Sequence, residues 1–104
     1  MASRVNRRAK ALHPSESVKQ AVYARDRGLC VWCGKPGLPE AHYIGRFSSG
    51  VGVEQNILTL CRECHEKYDR GPREMRERME QYFAEYLKTC YPGWNESDLI
   101  YRRL

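Results

Sequence analysis

The sequence has no apolar run that approaches the roughly 18 residues of a membrane-spanning helix. Its basic first residues are not followed by the apolar stretch of a secretory signal. Both absences favour a soluble protein of the cytoplasm. No segment repeats along the 104 residues, so the length favours one domain with a modest core. Domains with such small cores are commonly stabilised by a disulfide or a bound metal ion as well.

Acidic residues are absent from the first 15 positions, although the whole chain carries a formal net charge of +5. The basic residues of this stretch are Arg4, Arg7, Arg8 and Lys10. The composition predicts a flexible basic arm over residues 1–14 and a folded domain over residues 15–104. Such an arm suits a polyanionic partner, because each neutralised phosphate releases a counterion. A solvated tail that aids solubility has the same composition. His13 is assigned no specific role.

Five cysteines are present, and four of them form two C-x-x-C pairs, Cys30 with Cys33 and Cys61 with Cys64. Each pair can lie on a tight turn that aims two thiolates at one ion. In a chain without a secretory signal disulfides are disfavoured, so the spacing predicts a tetrahedral structural zinc site. A disulfide pair and a redox motif are the alternatives. Cys90 falls in an apolar helical stripe and is predicted to be a core residue.

Turn residues and hydrophobic periodicity predict a small α+β domain with flanking helices. The predicted elements are a helix between Ser15 and Gly28, strands at 40–44 and 57–60, a helix from about residue 62 to Gly71, and a helix from Pro72 to Cys90. The last helix is the clearest, because its apolar residues recur at three- and four-residue steps. The tail is predicted to dock through Trp94, Leu99 and Ile100.

Four further residues can carry hydrolytic chemistry. His42 ends a predicted strand, and an imidazole suits a general base near neutral pH. His65 and Asp69 lie four residues apart on a predicted helix, so they project from one face as half of a divalent-metal site. Asn56 precedes the second strand. Taken singly, Asn56 could be a turn residue, Asp69 a solvated helix end and His42 a half-exposed strand residue.

From about residue 25 to residue 71 the chain resembles the HNH nuclease family, which is named for its His, Asn and His positions. The resemblance rests on Arg25-Asp26-Arg27-Gly28-Leu29-Cys30, on Ala41-His42-Tyr43-Ile44-Gly45-Arg46, on the segment from Asn56 to His65, and on Asp69. The middle segment looks like a variant of phage- and prophage-associated members. The resemblance implies a ββα-metal core of treble-clef type, with metal-dependent cleavage of DNA that leaves 5′-phosphate and 3′-hydroxyl ends.

The resemblance also implies a role for each site residue. His42 would be the general base, and Asn56 would fix the loop and orient that base. His65 and Asp69 would hold the catalytic cation, which could be Mg²⁺, Mn²⁺, Ni²⁺ or Zn²⁺. Apart from the resemblance, Arg46 lies in the loop just past His42 and could clamp a phosphate, because a guanidinium matches phosphate oxygens in a bidentate manner; a solvated loop cation is the alternative. The implied partners are DNA and, from family context, phage packaging or recombination proteins in a prokaryotic or phage-infected cell.

One position departs from the family pattern, since the residue before the base is usually a metal-binding Asp or His and is here Ala41. Glu40, water or phosphate oxygens would then complete the coordination, and Ala41→Asp is expected to tighten metal binding. In a shifted register, His42 binds the metal and Tyr43 replaces the base, but the gap from His42 to Asn56 favours the first register. Ala41 also favours a different class of protein, a non-catalytic zinc module that binds nucleic acid or protein.

Overall fold

The computed structural model describes residues 7–102, so the predicted DNA-binding residue Arg4 lies outside the described residues. The helices and strands are α1 (Arg7–Leu12), α2 (Glu16–Arg25), β1 (Leu38–His42), β2 (Ile57–Leu60), α3 (Arg62–Arg70) and α4 (Arg73–Cys90), with 3₁₀ turns at Arg46–Ser48 and Glu96–Leu99. The prediction of a small α+β protein is confirmed. Within the described part of the chain, no helix is long and apolar enough to cross a membrane.

The two strands form an antiparallel pair in which Ala41 lies opposite Leu58 and His42 lies opposite Ile57. All four residues of β2 are buried. In β1, Ala41 is buried whereas Glu40 is exposed and His42 is half-buried. Successive side chains of a strand point to opposite faces. Glu40 and His42 therefore share the face that is turned away from the core.

Helix α4 closes the core as its apolar stripe predicts. Met79, Phe83 and Leu87 are its buried residues. The ring of Phe83 packs edge-on against Tyr68 of α3, with the ring centroids 5.0 Å apart. On its other side lies Trp32, between the first two cysteines, at a centroid distance of 6.1 Å. Phe83 thus joins α4 to both the cysteine-bearing turn and α3.

A buried ion pair at Arg25 and Asp26 ties α2 to the sheet and to α4. The guanidinium of Arg25 donates to both carboxylate oxygens of Asp26, at 2.7 and 2.9 Å. Asp26 also accepts from the main-chain N–H of Thr59 at 2.9 Å and from the hydroxyl of Tyr86. Arg25 donates in addition to the carbonyl of Ile57 at 2.8 Å. The charges are buried but satisfied, which is the condition under which such a pair is tolerated in a core.

The prediction of a flexible arm needs correction over residues 7–14. The stretch is helical up to Leu12, whose side chain is buried. The main-chain N–H of Gly52 donates to the carbonyl of Ala11 at 2.9 Å. A Cβ at Gly52 would lie only 2.5 Å from main-chain atoms of His13 and Pro14, so the two segments are in close contact. The N-terminal segment is therefore packed onto the loop that follows β1.

The other chain end docks as predicted. Leu99 is buried, and the indole N–H of Trp94 donates to the carbonyl of Gln55 at 2.9 Å. Ile100 forms an antiparallel bridge with Gly50. Residues 11–14 and residues 94–100 therefore brace the loop between β1 and β2.

Candidate functional site

The two C-x-x-C pairs converge at one point of the fold. The sulfur atoms of Cys30, Cys33, Cys61 and Cys64 all lie within 4.8 Å of one another. Those of Cys33 and Cys61 are 3.7 Å apart. A tetrahedral zinc ion with Zn–S bonds of about 2.3 Å holds its sulfurs about 3.8 Å apart. The cluster therefore fits a structural metal such as zinc. Cys90 is half-buried on α4 and lies outside this cluster.

Local backbone geometry aims these thiols at one another. Each pair carries an N–H···S contact, from Cys33 to Cys30 at 3.5 Å and from Cys64 to Cys61 at 3.4 Å. Gly34 has φ +84°, which the first turn requires, and Cys61 is the N-cap of α3. Burial disfavours the thiolate of Cys30, but backbone N–H groups lower the pKa of this thiol to about 7. Burial raises the pKa of Cys64, so that metal binding must displace protons.

An open cleft of about 970 Å³ lies beside the sheet. It is lined by most of the residues that the sequence singled out, namely His42, Arg46, His65 and Asp69. Glu40 lines the same cleft, in agreement with its position on the face of β1 shared with His42. One strand, one loop and one helix therefore bring the candidate hydrolytic residues to a single concave surface.

The imidazole of His42 is held by the N-terminal segment. Its Nε2 lies 2.7 Å from the main-chain carbonyl oxygen of Leu12. Because a carbonyl can only accept, Nε2 carries the proton, and Nδ1 carries the lone pair of the neutral ring. Burial lowers the pKa of His42 below its usual value of 6.5, and Arg46 acts in the same direction, against the effect of the Leu12 carbonyl. His42 is therefore neutral at pH 7 and able to accept a proton.

Asn56 pins the loop that follows His42. Its side chain is fully buried. The amide oxygen accepts from the N–H of Ile44 at 2.8 Å, and the amide nitrogen donates to the carbonyls of Ile44 and Val51 at 3.1 and 2.8 Å. Its own carbonyl accepts from the N–H of Tyr43 at 2.8 Å. Asn56 thus joins the residues after His42 to the far end of the same loop.

His65 and Asp69 form a pair on one face of α3. His65 Nε2 lies 3.3 Å from Asp69 Oδ2, and both side chains are partly exposed. Two neighbouring ligands of an octahedral ion with bonds of about 2.1 Å are about 3 Å apart, so the pair fits two positions of such an ion. Within residues 7–102, the four cysteines are the only group of three or more metal-ligating side chains that cluster this closely.

Ala41 does not share the face of His42, and the side chain of Tyr43 is buried in the core although this residue also borders the cleft. Ala41 is 1% exposed and belongs to the core, so a carboxylate placed there would be buried. Because this carboxylate would enter the core and not the cleft, Ala41→Asp is not expected to tighten metal binding. The hydroxyl of Tyr43 donates to the carboxylate of Glu96 at 2.6 Å, and burial together with Glu96 raises the pKa of this phenol. Tyr43 is thus poorly suited to act as a base.

Sequence reasoning missed His13, which lies at the cleft. His13 Nδ1 is 3.4 Å from a guanidinium nitrogen of Arg46. The composition of the first 14 residues gave no sign that His13 lies there, because a basic stretch with few apolar residues is typical of an unstructured segment. The cleft is also lined by Lys19 and Arg76, two further cations that no motif marks.

The basic residues of the N-terminal segment are placed in two ways. Arg7 and Lys10 are exposed on α1. Arg8 is exposed too, but its guanidinium donates to the carbonyl of Arg46 at 3.0 Å and to the hydroxyl of Ser49 at 3.2 Å. Arg8 therefore supports the loop that carries Arg46.

Comparison of the chain with protein-family models, with curated proteins and with solved structures finds no match.

Proposed function

We propose that this protein is a metal-dependent endonuclease of the HNH type that hydrolyses phosphodiester bonds in DNA. The observation that carries the proposal is the common cleft of His42, His65 and Asp69. Asn56 supports it by pinning the loop beside the base. The order of these residues between and after two cysteine pairs is the order on which the family resemblance rests.

His42 is the general base in this proposal. The carbonyl of Leu12 holds the proton on Nε2, which leaves Nδ1 to accept a proton from the attacking water. Burial keeps the pKa of His42 below its usual value, so that the ring is not blocked by a proton at pH 7. A positioned base of this kind contributes about 10²- to 10⁴-fold to the rate.

His65 and Asp69 are the proposed ligands of the catalytic cation, and their spacing of 3.3 Å fits two adjacent coordination positions. Glu40, on the cleft face of β1, is the candidate for a third ligand. A bound Mg²⁺, Mn²⁺, Ni²⁺ or Zn²⁺ would supply Lewis-acid stabilisation of the charge that develops at the scissile phosphate.

The four-cysteine cluster has a supporting role in the proposed treble-clef, ββα-metal architecture. The second cysteine pair stands at the start of α3, and Cys64 directly precedes His65. A zinc ion held there would fix the first turn of the helix that presents the catalytic metal ligands. The first pair precedes β1, which carries His42. One ion would thereby stabilise both halves of the site.

Positive side chains supply the proposed contacts to DNA. Arg46 borders the cleft next to the base, and a guanidinium matches phosphate oxygens in a bidentate manner. Arg7 and Lys10 extend the positive surface along α1. Contacts to phosphates position the nucleic acid but do not read its sequence. We therefore propose largely sequence-independent binding, in a prokaryotic or phage-infected cytoplasm and in the context of phage packaging or recombination.

Ala41 favours the second candidate, a non-catalytic zinc module that binds nucleic acid or protein, because the usual metal ligand is missing there. A supercoiled-plasmid assay separates the two. The proposal predicts nicked or linear product with Mg²⁺, Mn²⁺ or Ni²⁺, and none with excess chelator or with His42→Ala. Circular dichroism of the chelated sample distinguishes loss of the catalytic cation from unfolding. Plasmid that stays supercoiled with every metal would support the non-catalytic module.

A further inference from the structure

Phe47 is an apolar side chain that the described fold leaves entirely in water, with a relative exposure of 101%. It is the middle residue of the 3₁₀ turn Arg46–Ser48, in the loop that follows β1. It also lines the cleft that contains His42. A phenylalanine in this position forgoes the free energy that burial of its ring would provide. A binding partner at the cleft could recover that free energy.

The backbone that carries Phe47 is held from several sides. The N–H of Ser49 donates to the carbonyl of Arg46 at 2.9 Å, and the N–H of Tyr101 donates to the carbonyl of Ser49 at 2.8 Å. Arg8 of α1 donates to the carbonyl of Arg46 at 3.0 Å. Arg8 and Tyr101 therefore brace the turn from two segments of the chain, and the ring is presented on a preorganised support. Such a support reduces the entropy that binding would otherwise cost.

The surroundings of the ring match nucleic acid. Arg46 precedes Phe47 in the chain, and the same cleft is lined by Lys19, Arg76 and His13, together with Glu80 and the proposed cation ligands Glu40 and Asp69. Cations that contact phosphates beside an aromatic ring that stacks on bases are the combination by which proteins bind single strands. A protein partner would also cover Phe47, but Arg46, Lys19 and Arg76 favour a polyanion at this cleft.

We propose that Phe47 stacks on a nucleobase next to the scissile phosphate, so that the preferred substrate is DNA with an unpaired base near the cut. This inference rests on the proposed function. In an intact duplex both faces of a base are covered by its neighbours, and a wedge must first unstack them. Where a base is already unpaired, the cost of unstacking falls, and one face of that base is free to stack on the ring of Phe47.

Binding of 2-aminopurine oligonucleotides without added divalent metal tests the inference separately from cleavage. The probes are a single strand, a duplex with one mismatch and the fully paired duplex. Phe47→Ala should weaken binding of the first two about tenfold and abolish the stacking change in fluorescence. Phe47→Trp should retain the affinity for these two probes and the stacking change in fluorescence. Binding of the fully paired duplex should change least in either variant. Tyr82→Ala, an exposed aromatic residue outside the residues that line the cleft, is the matched control.

Several results would overturn the inference. Wild type and Phe47→Ala could bind all probes equally, or the paired duplex could be preferred. Alternatively, Phe47→Ala could change only the oligomeric state in sedimentation, which would assign the ring to a protein contact. Stacking without any cleavage would contradict the endonuclease proposal alone, whereas cleavage that is insensitive to Phe47→Ala on unpaired substrate would contradict the stacking alone. Failure of the wild type to bind any probe would contradict both.

Discussion

His42 donates its Nε2–H to the main-chain carbonyl of Leu12 over 2.7 Å. The partner belongs to a segment that the sequence marks as a basic tail, and the bond decides which ring nitrogen can accept a proton. The N-terminal helix is therefore part of the candidate site and also supports its loop through Arg8.

Gly52→Ala should separate this segment from the site. The added Cβ would lie 2.5 Å from main-chain atoms of His13 and Pro14, which have to move away. With the Leu12 bond lost, His42 should populate both neutral tautomers, visible in its ¹⁵N chemical shifts, and cleavage should fall about tenfold or more. Gly45→Ala is the control, since a Cβ there meets open space. An unchanged tautomer in folded Gly52→Ala would argue against this positioning role.

Cys61→Ser should release the structural metal and largely unfold the protein, because zinc binding and folding are coupled in small zinc domains. Cys90→Ser should keep both metal and fold, since Cys90 is outside the cluster. Native mass spectrometry and thermal melts of the two variants provide the measurement. A folded, metal-free wild-type protein would refute the zinc assignment.

Phe83→Ala should lower the free energy of unfolding by about 3–5 kcal/mol. The ring is fully buried and contacts both Tyr68 and Trp32, so its loss leaves a cavity between α4 and the cysteine-bearing half. Gln81→Ala, on an exposed position of the same helix, should change stability little. Urea denaturation measures both. Equal stability of the two variants would mean that α4 does not close the core.

Ala41→Asp should destabilise the protein and leave metal affinity no better. Its carboxylate would enter the core cluster, and an uncompensated buried charge costs on the order of 3–5 kcal/mol. Glu40→Gln, on the cleft face, should keep the fold and weaken binding of the catalytic cation. Denaturation measures the stability of the two variants, and calorimetric titration measures their affinity for the metal. A stable Ala41→Asp protein with tighter Mg²⁺ binding would place residue 41 in the cleft instead.

Local signals made much of the fold predictable. Ser15 stands where the sequence predicted the first helix to begin, and its side chain caps α2 by accepting from the N–H of Val18 at 3.2 Å. The cysteine spacing predicted the four-thiol cluster, and the apolar period of residues 75–90 predicted a helix that packs on the core. The helix cap and each C-x-x-C pair involve residues that are close in sequence, and the packed helix follows from one repeated apolar spacing.

The contribution of the N-terminal segment could not be predicted in this way. Helix α1 has 6 residues and only one buried side chain, Leu12, so no period reveals it. Its role depends on main-chain groups, such as the carbonyl of Leu12, which leave no trace in side-chain composition. The same limit applies to His13, whose place beside Arg46 depends on the packing of that segment.

In the proposed mechanism, His42 moves a proton while His65 and Asp69 hold the cation. Single-turnover DNA cleavage and calorimetric metal titration on the same variants test it most directly. His42→Ala should keep its metal affinity and lose cleavage by about 10²- to 10⁴-fold. Asp69→Ala should lose affinity and recover part of its rate in excess metal, and Tyr43→Phe should remain active. A His42→Ala protein with the full rate, or an inactive Tyr43→Phe, would contradict the account.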